Sequence, residues 1–196
     1  MGRQSKSVKI GSVTIGGGNP IAIQSMLCAP LDDPEANARQ TKALYEAGCQ
    51  IGRVAIPAEG GARLIQAIKE ASPMPLVADI QFDYRLAIEA AYAGADKIRI
   101  NPGNIGDQEK VRQVVAACRE KDLPIRIGVN SGSLEKEVLA KYQRPTAEAL
   151  AESALLNIRL LEQLDFDNYV VAIKSSDVFT TVAAYRLVAD KVDCPF

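Results

Sequence analysis

Arg53, Arg99, Arg126 and Lys174 each lie near the C-terminal end of a short apolar stretch. Each also falls on the same alternate row as other polar residues. In 51–57, Ile51, Arg53, Ala55 and Pro57 oppose Gly52, Val54 and Ile56. In 76–83, Val77, Asp79, Gln81 and Asp83 oppose Leu76, Ala78, Ile80 and Phe82. In 97–101, Lys97, Arg99 and Asn101 oppose Ile98 and Ile100. In 125–130, Arg126, Gly128 and Asn130 oppose Ile125, Ile127 and Val129. In 171–176, Ala172, Lys174 and Ser176 oppose Val171 and Ile173. In 21–26, Ala22, Gln24 and Met26 oppose Ile21 and Ile23. Strand side chains alternate between faces, so one face is aliphatic and the other turns polar toward its end.

That polar face is unusual. A parallel strand covered on both sides should read as almost wholly apolar. Guanidinium groups placed inside are costly unless they are paired or meet an anion. Four cations here face one negative residue, Asp79. Arginine's planar fork fits phosphate oxygens, and Asn101 and Asn130 add neutral hydrogen bonds. The loops Asn101-Pro102-Gly103-Asn104 and Asn130-Ser131-Gly132-Ser133 are small and precede helices, so backbone N–H groups can also face an anion. A single strand arginine is more often salt-bridged or snorkelling, and Arg99 could simply pair with Asp79. Repetition across four strands favours a phosphate grip.

The whole chain supplies no such bias. Its 196 residues carry 23 basic and 24 acidic side chains, a net charge of −1, which gives no argument for nucleic acid or a membrane surface. No apolar run approaches the roughly 20 residues of a membrane span. The start, MGRQSKSVKI, has no signal-peptide core, and Lys6 stands where a myristoylation site needs Ser or Thr. The expectation is a soluble, cytoplasmic protein. Cysteines 28, 49, 118 and 194 show no zinc or C-x-x-C spacing and read as reduced, mostly buried thiols. Histidine is absent. Acid–base work must use carboxylates, lysine, tyrosine or an external cofactor.

The elements that position these residues follow a rhythm. Residues 1–20 read as a hairpin capping a barrel, with Val8-Lys9-Ile10 and Val13-Thr14-Ile15 about a Gly11-Ser12 turn. Gly16-Gly17-Gly18 lacks the Lys-Ser/Thr of a phosphate loop and reads as a connector. Strands are expected at 21–26, 51–56, 75–80, 96–101, 124–129 and 168–174. Helices are expected from Asp33-Pro34 to Gly48, and near 59–72, 83–93, 107–121, 146–164 and 177–191. A shorter helix should start at Ser133. This alternation means parallel β with crossover helices, a doubly wound sheet or a (β/α) barrel. No G-x-G-x-x-G follows the first strand, which favours an α/β fold of TIM type, incomplete at about six of eight strands, over 21–196. Residues 192–196 read as the approach to a seventh strand.

Specific strings then narrow the reading. Residues 76–86 (LVADIQFDYRL), 97–106 (KIRINPGNIG) and 124–135 (PIRIGVNSGSLE) resemble the 4-hydroxy-3-methylbut-2-enyl diphosphate synthase family. So do Ile23-Gln24-Ser25-Met26, Arg53-Val54-Ala55 and Lys174-Ser175-Ser176-Asp177-Val178. The resemblance implies an oxidoreductase of non-mevalonate isoprenoid biosynthesis. It reductively opens 2-C-methyl-D-erythritol 2,4-cyclodiphosphate. It implies a [4Fe–4S] cluster in a C-terminal domain, electrons from ferredoxin or flavodoxin, and a homodimer pairing one barrel with the partner's cluster domain. Carried over by position, Arg53, Arg99, Asn101, Arg126, Asn130 and Lys174 bind the diphosphate, and Asp79 and Gln81 stand at catalytic positions. No residue is implied as a metal ligand.

The sequence departs from the family in three places. Position 81 is Gln where the family usually has His, and glutamine neither shuttles a proton nor carries charge. Leu27-Cys28-Ala29-Pro30 replaces a Thr-Asn-Thr segment, which puts Cys28 at the mouth as a partly buried thiol without a role. The later site residues and the cluster cysteines would lie beyond Phe196, so the cluster domain and the cluster's ligands are not in this sequence. The chain is therefore expected to bind substrate and not to carry out the reductive step alone. Two other readings remain open: a non-catalytic phosphate-binding or assembly remnant of the family, and another phosphate-handling barrel such as a pterin-synthase-like transferase. The strings argue against the last.

Overall fold

A computed structural model describes residues 3–196. The Met1-Gly2 terminus, considered for a lipid anchor, lies outside them. The polar-row rhythm becomes a six-stranded parallel sheet in sequential order, β3 (Gln24–Met26), β4 (Ile51–Ala55), β5 (Leu76–Asp79), β6 (Lys97–Ile100), β7 (Ile125–Asn130) and β8 (Tyr169–Lys174). The sheet curls as an open half of a TIM-type barrel. Before it, β1 (Ser7–Ile10) and β2 (Val13–Gly16) pair antiparallel, with Gly11 at φ 54° in their turn.

Helices follow the strands: α1 (Pro34–Glu46), α2 (Gly61–Ala71), α3 (Tyr84–Tyr92), α4 (Pro102–Ile105), α5 (Gln108–Glu120), α6 (Lys136–Tyr142), α7 (Ala147–Gln163) and α8 (Val178–Ala189). Their starts are chemically marked. Asp33, Asp83, Asp107, Thr146 and Asp177 each accept a backbone N–H of the first turn. Pro34 opens α1, where its missing N–H costs nothing.

The aliphatic row of each strand packs under the helices. Ile98, Ile100, Ile125 and Ile127 are fully buried and share one core with Leu64, Ile65 and Ile68 of α2, Val111 and Val114 of α5, and Leu150 of α7. A second, smaller core lies at the opposite strand ends. There Val8 and Ile10 of the hairpin meet Ile51, Val77 and Val170. The hairpin thus packs where the strands begin, leaving their C-terminal ends open.

The structure differs from the sequence pattern in three places. The first strand is shorter than 21–26, because it is an edge with one neighbour and Ile21 is 96% exposed. The helix expected from Ser133 begins at Lys136, because Ser133 N–H is taken by Asn130 O in a turn. The one-turn α4 follows β6 directly and was not expected. Beyond α8 the chain returns beside β8, where Val171 N–H donates to Pro195 O at 3.1 Å. Among the described residues no helix is long and apolar enough to cross a membrane.

Candidate functional site

The polar rows converge on a cavity of about 590 Å³ at the C-terminal strand ends. Arg53, Asp79, Gln81, Arg99, Asn101, Arg126, Asn130 and Lys174 all line it. The eight positions that the sequence marks as binding or catalytic are therefore brought to one place. Parallel register does this: Asp79, Arg99 and Arg126 sit on one rung across β5, β6 and β7, and Asn130 pairs with Lys174 two inward layers higher.

Asp79 organises the floor. Its Oδ1 accepts from Arg99 Nη1 at 2.9 Å, and its Oδ2 accepts from Arg53 Nε and Nη2 at 3.1 and 2.5 Å. The Asp79 side chain is 4% exposed, against 12% for Arg99 and 23% for Arg53. One carboxylate thus holds two guanidiniums in fixed planes and leaves a surplus positive charge. Among the described residues Arg53 Nη1 and Arg99 Nε and Nη2 have no bonded acceptor, which leaves these donors for a ligand.

Arg126 has no carboxylate partner among the described residues. Burial, then the charge of Arg53, holds its pKa below the usual arginine value. Lys174 is exposed at the rim. Asn101 is buried, and its Nδ2 lies 3.3 Å from Ser133 Oγ, which ties β6 to the loop after β7. Gln81 is exposed beyond the end of β5.

Gly128 makes room for this arrangement. A Cβ at this position would lie 2.8 Å from Arg99 Cζ. The Arg99 guanidinium therefore lies across the β7 backbone, a path open only above glycine. Alternation placed Gly128 on the inward row without revealing this contact.

The structure adds residues that the sequence reading did not select. Lys97, an inward neighbour of Arg99, is 3% exposed, and burial followed by the charges of Arg126 and Arg53 lowers its pKa to about 7. Alternation puts Lys97 on the inward row, but below the strand ends where the four cations gather. Tyr185 of α8 reaches the cavity because β8 is an edge, and its hydroxyl accepts Ile173 N–H at 2.9 Å. No strand pattern could signal that. Alternation over 76–83 puts Phe82 on the aliphatic row. The strand ends at Asp79, so alternation no longer applies, and Phe82 is 68% exposed on the cavity rim. Cys28 is likewise exposed rather than partly buried, with Gln40 Nε2 donating to its Sγ at 3.1 Å.

The four thiols do not gather. Cys49, Cys118 and Cys194 are buried separately, and among the described residues no group of three or more Cys, Asp or Glu is placed to hold a metal ion. Burial pushes the Cys118 thiol up to about 12, which is the behaviour of an inert core thiol.

Fold and site together define a TIM-barrel-class (β/α) domain whose polar side chains collect at the C-terminal strand ends. The chain belongs to the family described as the GcpE TIM-barrel domain, whose model matches residues 5–196. It is 52% identical over 98% of its length to the 4-hydroxy-3-methylbut-2-en-1-yl diphosphate synthase (flavodoxin) of Maridesulfovibrio salexigens, covering 54% of that protein. It is 54% identical to the synthase of Bacillus pumilus, again over 98% of this chain and 52% of the relative. The chain thus spans about half the length of the curated relatives it matches.

Solved structures agree on the fold. Type I 3-dehydroquinate dehydratase from Clostridium difficile superposes with a TM-score of 0.69 at 16% identity, covering 98% of this chain and 79% of that one. A truncated 3-deoxy-D-arabino-heptulosonate 7-phosphate synthase from Thermotoga maritima gives 0.67 at 15% identity, covering 98% and 68%. At such identity these likenesses describe architecture alone.

Proposed function

We propose that this chain is the substrate-holding part of a 4-hydroxy-3-methylbut-2-enyl diphosphate synthase, and that its mouth binds 2-C-methyl-D-erythritol 2,4-cyclodiphosphate. The observation that carries this reading is the Arg53–Asp79–Arg99 clamp beside Arg126, which has no carboxylate partner. A diphosphate brings the negative charge that this surplus of cations lacks. Identity above 50% to named synthases over nearly the whole chain supports the choice of ligand.

The chain's own residues then have separate tasks. Arg126 and the unused donors of Arg53 and Arg99 grip phosphate oxygens from below. Lys174 and Asn130 close over the ligand from the neighbouring strand pair. Asn101, already tied to Ser133, fixes the loop beside it. Asp79 holds the two arginines in position, so their donors are aimed before the ligand arrives. Gln81 offers a neutral hydrogen bond at the catalytic position beyond β5.

A [4Fe–4S] cluster, which the resemblance to the synthase family implies, would supply the electrons for the reductive step, with flavodoxin or ferredoxin as donor. The residues of this chain do not fit that cluster: the cysteines stand apart, and three of the four are buried. The redox step is assigned to sequence outside this chain, within a homodimer whose partner brings the cluster domain.

Isothermal titration calorimetry of the 196-residue chain with the cyclodiphosphate tests the reading. Saturable binding tighter than that of sulfate supports it. A chain that binds the cyclodiphosphate no better than sulfate overturns it.

A further inference from the structure

Beneath the mouth lies a buried ionisable group, Lys97, that the clamp does not use. Lys97 lies on the inward row of β6, beside Val77 and one inward position below Arg99. It is 3% exposed. Among the described residues its amine has no hydrogen bond or ion pair.

The strands and the hairpin around it contribute either a cation or a neutral group, with one exception. β4 brings Arg53, β7 brings Arg126, and β6 itself brings Arg99. β3 brings the neutral Gln24, β8 the apolar Val170, and the hairpin Val8 and Ile10. Arg3 stands across the lower cavity that Lys97 shares with Arg126. Lys174 and Tyr185 lie at the mouth above. The exception is Asp79 on β5, and both of its oxygens are already taken by Arg53 and Arg99.

An ammonium in this setting suffers desolvation and like-charge repulsion together. Arginine cannot relieve that stress by losing a proton, but lysine can. Burial first, then Arg126 and Arg53, accordingly holds the amine at about 7, far below an ordinary lysine. A polyanion settling on the three guanidiniums offsets the surplus positive charge that repels the ammonium.

We propose that Lys97 takes up one proton from solvent when a polyanion binds at the mouth, and so becomes an additional cation of the bound state. The balance is that of a protonation: the neutral amine plus a solvent proton gives the ammonium, and no other bond changes. The proposal rests on the mouth being an anion site, as in the function proposed above, and not on which anion it is.

The consequence is a proton-coupled affinity. Linkage requires binding to weaken as pH rises through the range where the free amine is neutral and the bound one is charged, by up to about tenfold per pH unit. Sulfate is the cleanest probe, because its own charge is constant from pH 6 to 9.

The test is calorimetry of the 196-residue chain with sulfate and with the cyclodiphosphate, at pH 8, in buffers of different ionisation enthalpy. The expected result is uptake of about one proton per anion, and an affinity for sulfate that falls between pH 7 and 9. Lys97→Met, which keeps the aliphatic stem, should bind more weakly with no uptake and a flat profile. Lys97→Arg, permanently charged, should also show a flat profile. Binding without proton uptake in the native chain overturns the proposal whether or not the variants fold. So does uptake that persists in either variant. Proton-coupled sulfate binding with no preference for the cyclodiphosphate leaves Lys97 in place and overturns the substrate reading alone. Failure of both anions to bind overturns both.

Discussion

The guanidinium of Arg99 lies directly over Gly128, so close that a Cβ there would come within 2.8 Å of Arg99 Cζ. Arg99 is thereby held between two strands: Asp79 of β5 fixes one edge of its plane, and the bare β7 backbone supports the face. Gly128→Ala should push Arg99 aside without emptying the core, since the methyl points into the mouth. The expected loss of anion affinity is about 1.5–3 kcal/mol, the range for a charge-assisted hydrogen bond. Calorimetry would show it, with a nearly unchanged urea midpoint as the control. Undiminished binding by the variant would mean that Arg99 does not need this path.

Asp79 is the only carboxylate bonded to either arginine among the described residues. Asp79→Asn leaves two mostly buried guanidiniums without their counter-charge. Breaking such a buried pair costs about 3–5 kcal/mol, and the lower end applies here because Arg53 keeps 23% of its side chain exposed. Urea denaturation in low salt should reveal the loss. Added pyrophosphate should recover more stability in the variant than in the native chain, because it replaces the missing negative charge. A variant as stable as the native protein would contradict the clamp.

Lys97 also makes stability depend on pH. Its folded pKa, about 7, lies below the ordinary lysine value of 10.5. Between those limits the unfolded chain binds the extra proton and the folded chain does not, so unfolding free energy rises with pH. Below about pH 7 both states are charged and the full cost of burying the ammonium is felt. Lys97→Met removes that cost, so the variant should exceed the native chain in stability at pH 6. The difference should shrink as pH rises toward 10. Paired urea titrations at pH 6, 8 and 9.5 measure it, and the pairing cancels other titrating groups such as Cys194. A pH-independent difference would sink this account of the amine.

How far these features could be read in advance depended on what set them. Alternation with a period of two identified the inward rows, because it needs nothing but strand geometry. It put Arg53, Asp79, Arg99, Arg126 and Lys174 on one face, where the structure has them. The sharing of Asp79 by two arginines was not legible, since it depends on the stagger between β4, β5 and β6. Lys97 was on the right row, but its isolation becomes evident only when its neighbours are located in space. Phe82 misled because alternation was carried past the end of β5. Tyr185 gave no signal, as a helix residue enters the mouth only beside an unpaired strand edge.

That edge has a consequence for the behaviour of the chain in solution. β3 and β8 both lack a second strand neighbour within the sheet. Tyr185 hydroxyl and Pro195 O each satisfy one β8 amide, which blunts that edge in part. Close to the two edges stand large exposed apolar side chains: Ile21 at 96% and Ile23 at 62% beside β3, Val178 at 69% and Phe179 at 85% just after β8. Open strand edges flanked by apolar surface favour association between copies. The chain should bind an apolar dye such as anilinonaphthalene sulfonate while folded, and its elution on gel filtration should shift to larger species as concentration rises. Phe179→Lys tests the cause. The ring is almost wholly in solvent, so its loss should leave the urea midpoint within about 0.5 kcal/mol of the native chain, as for an ordinary surface change. Dye fluorescence and the concentration-dependent shift should both fall. If the variant associates as readily as the native chain, the apolar rim is not what holds the copies together, and the bare strand edges remain as the cause.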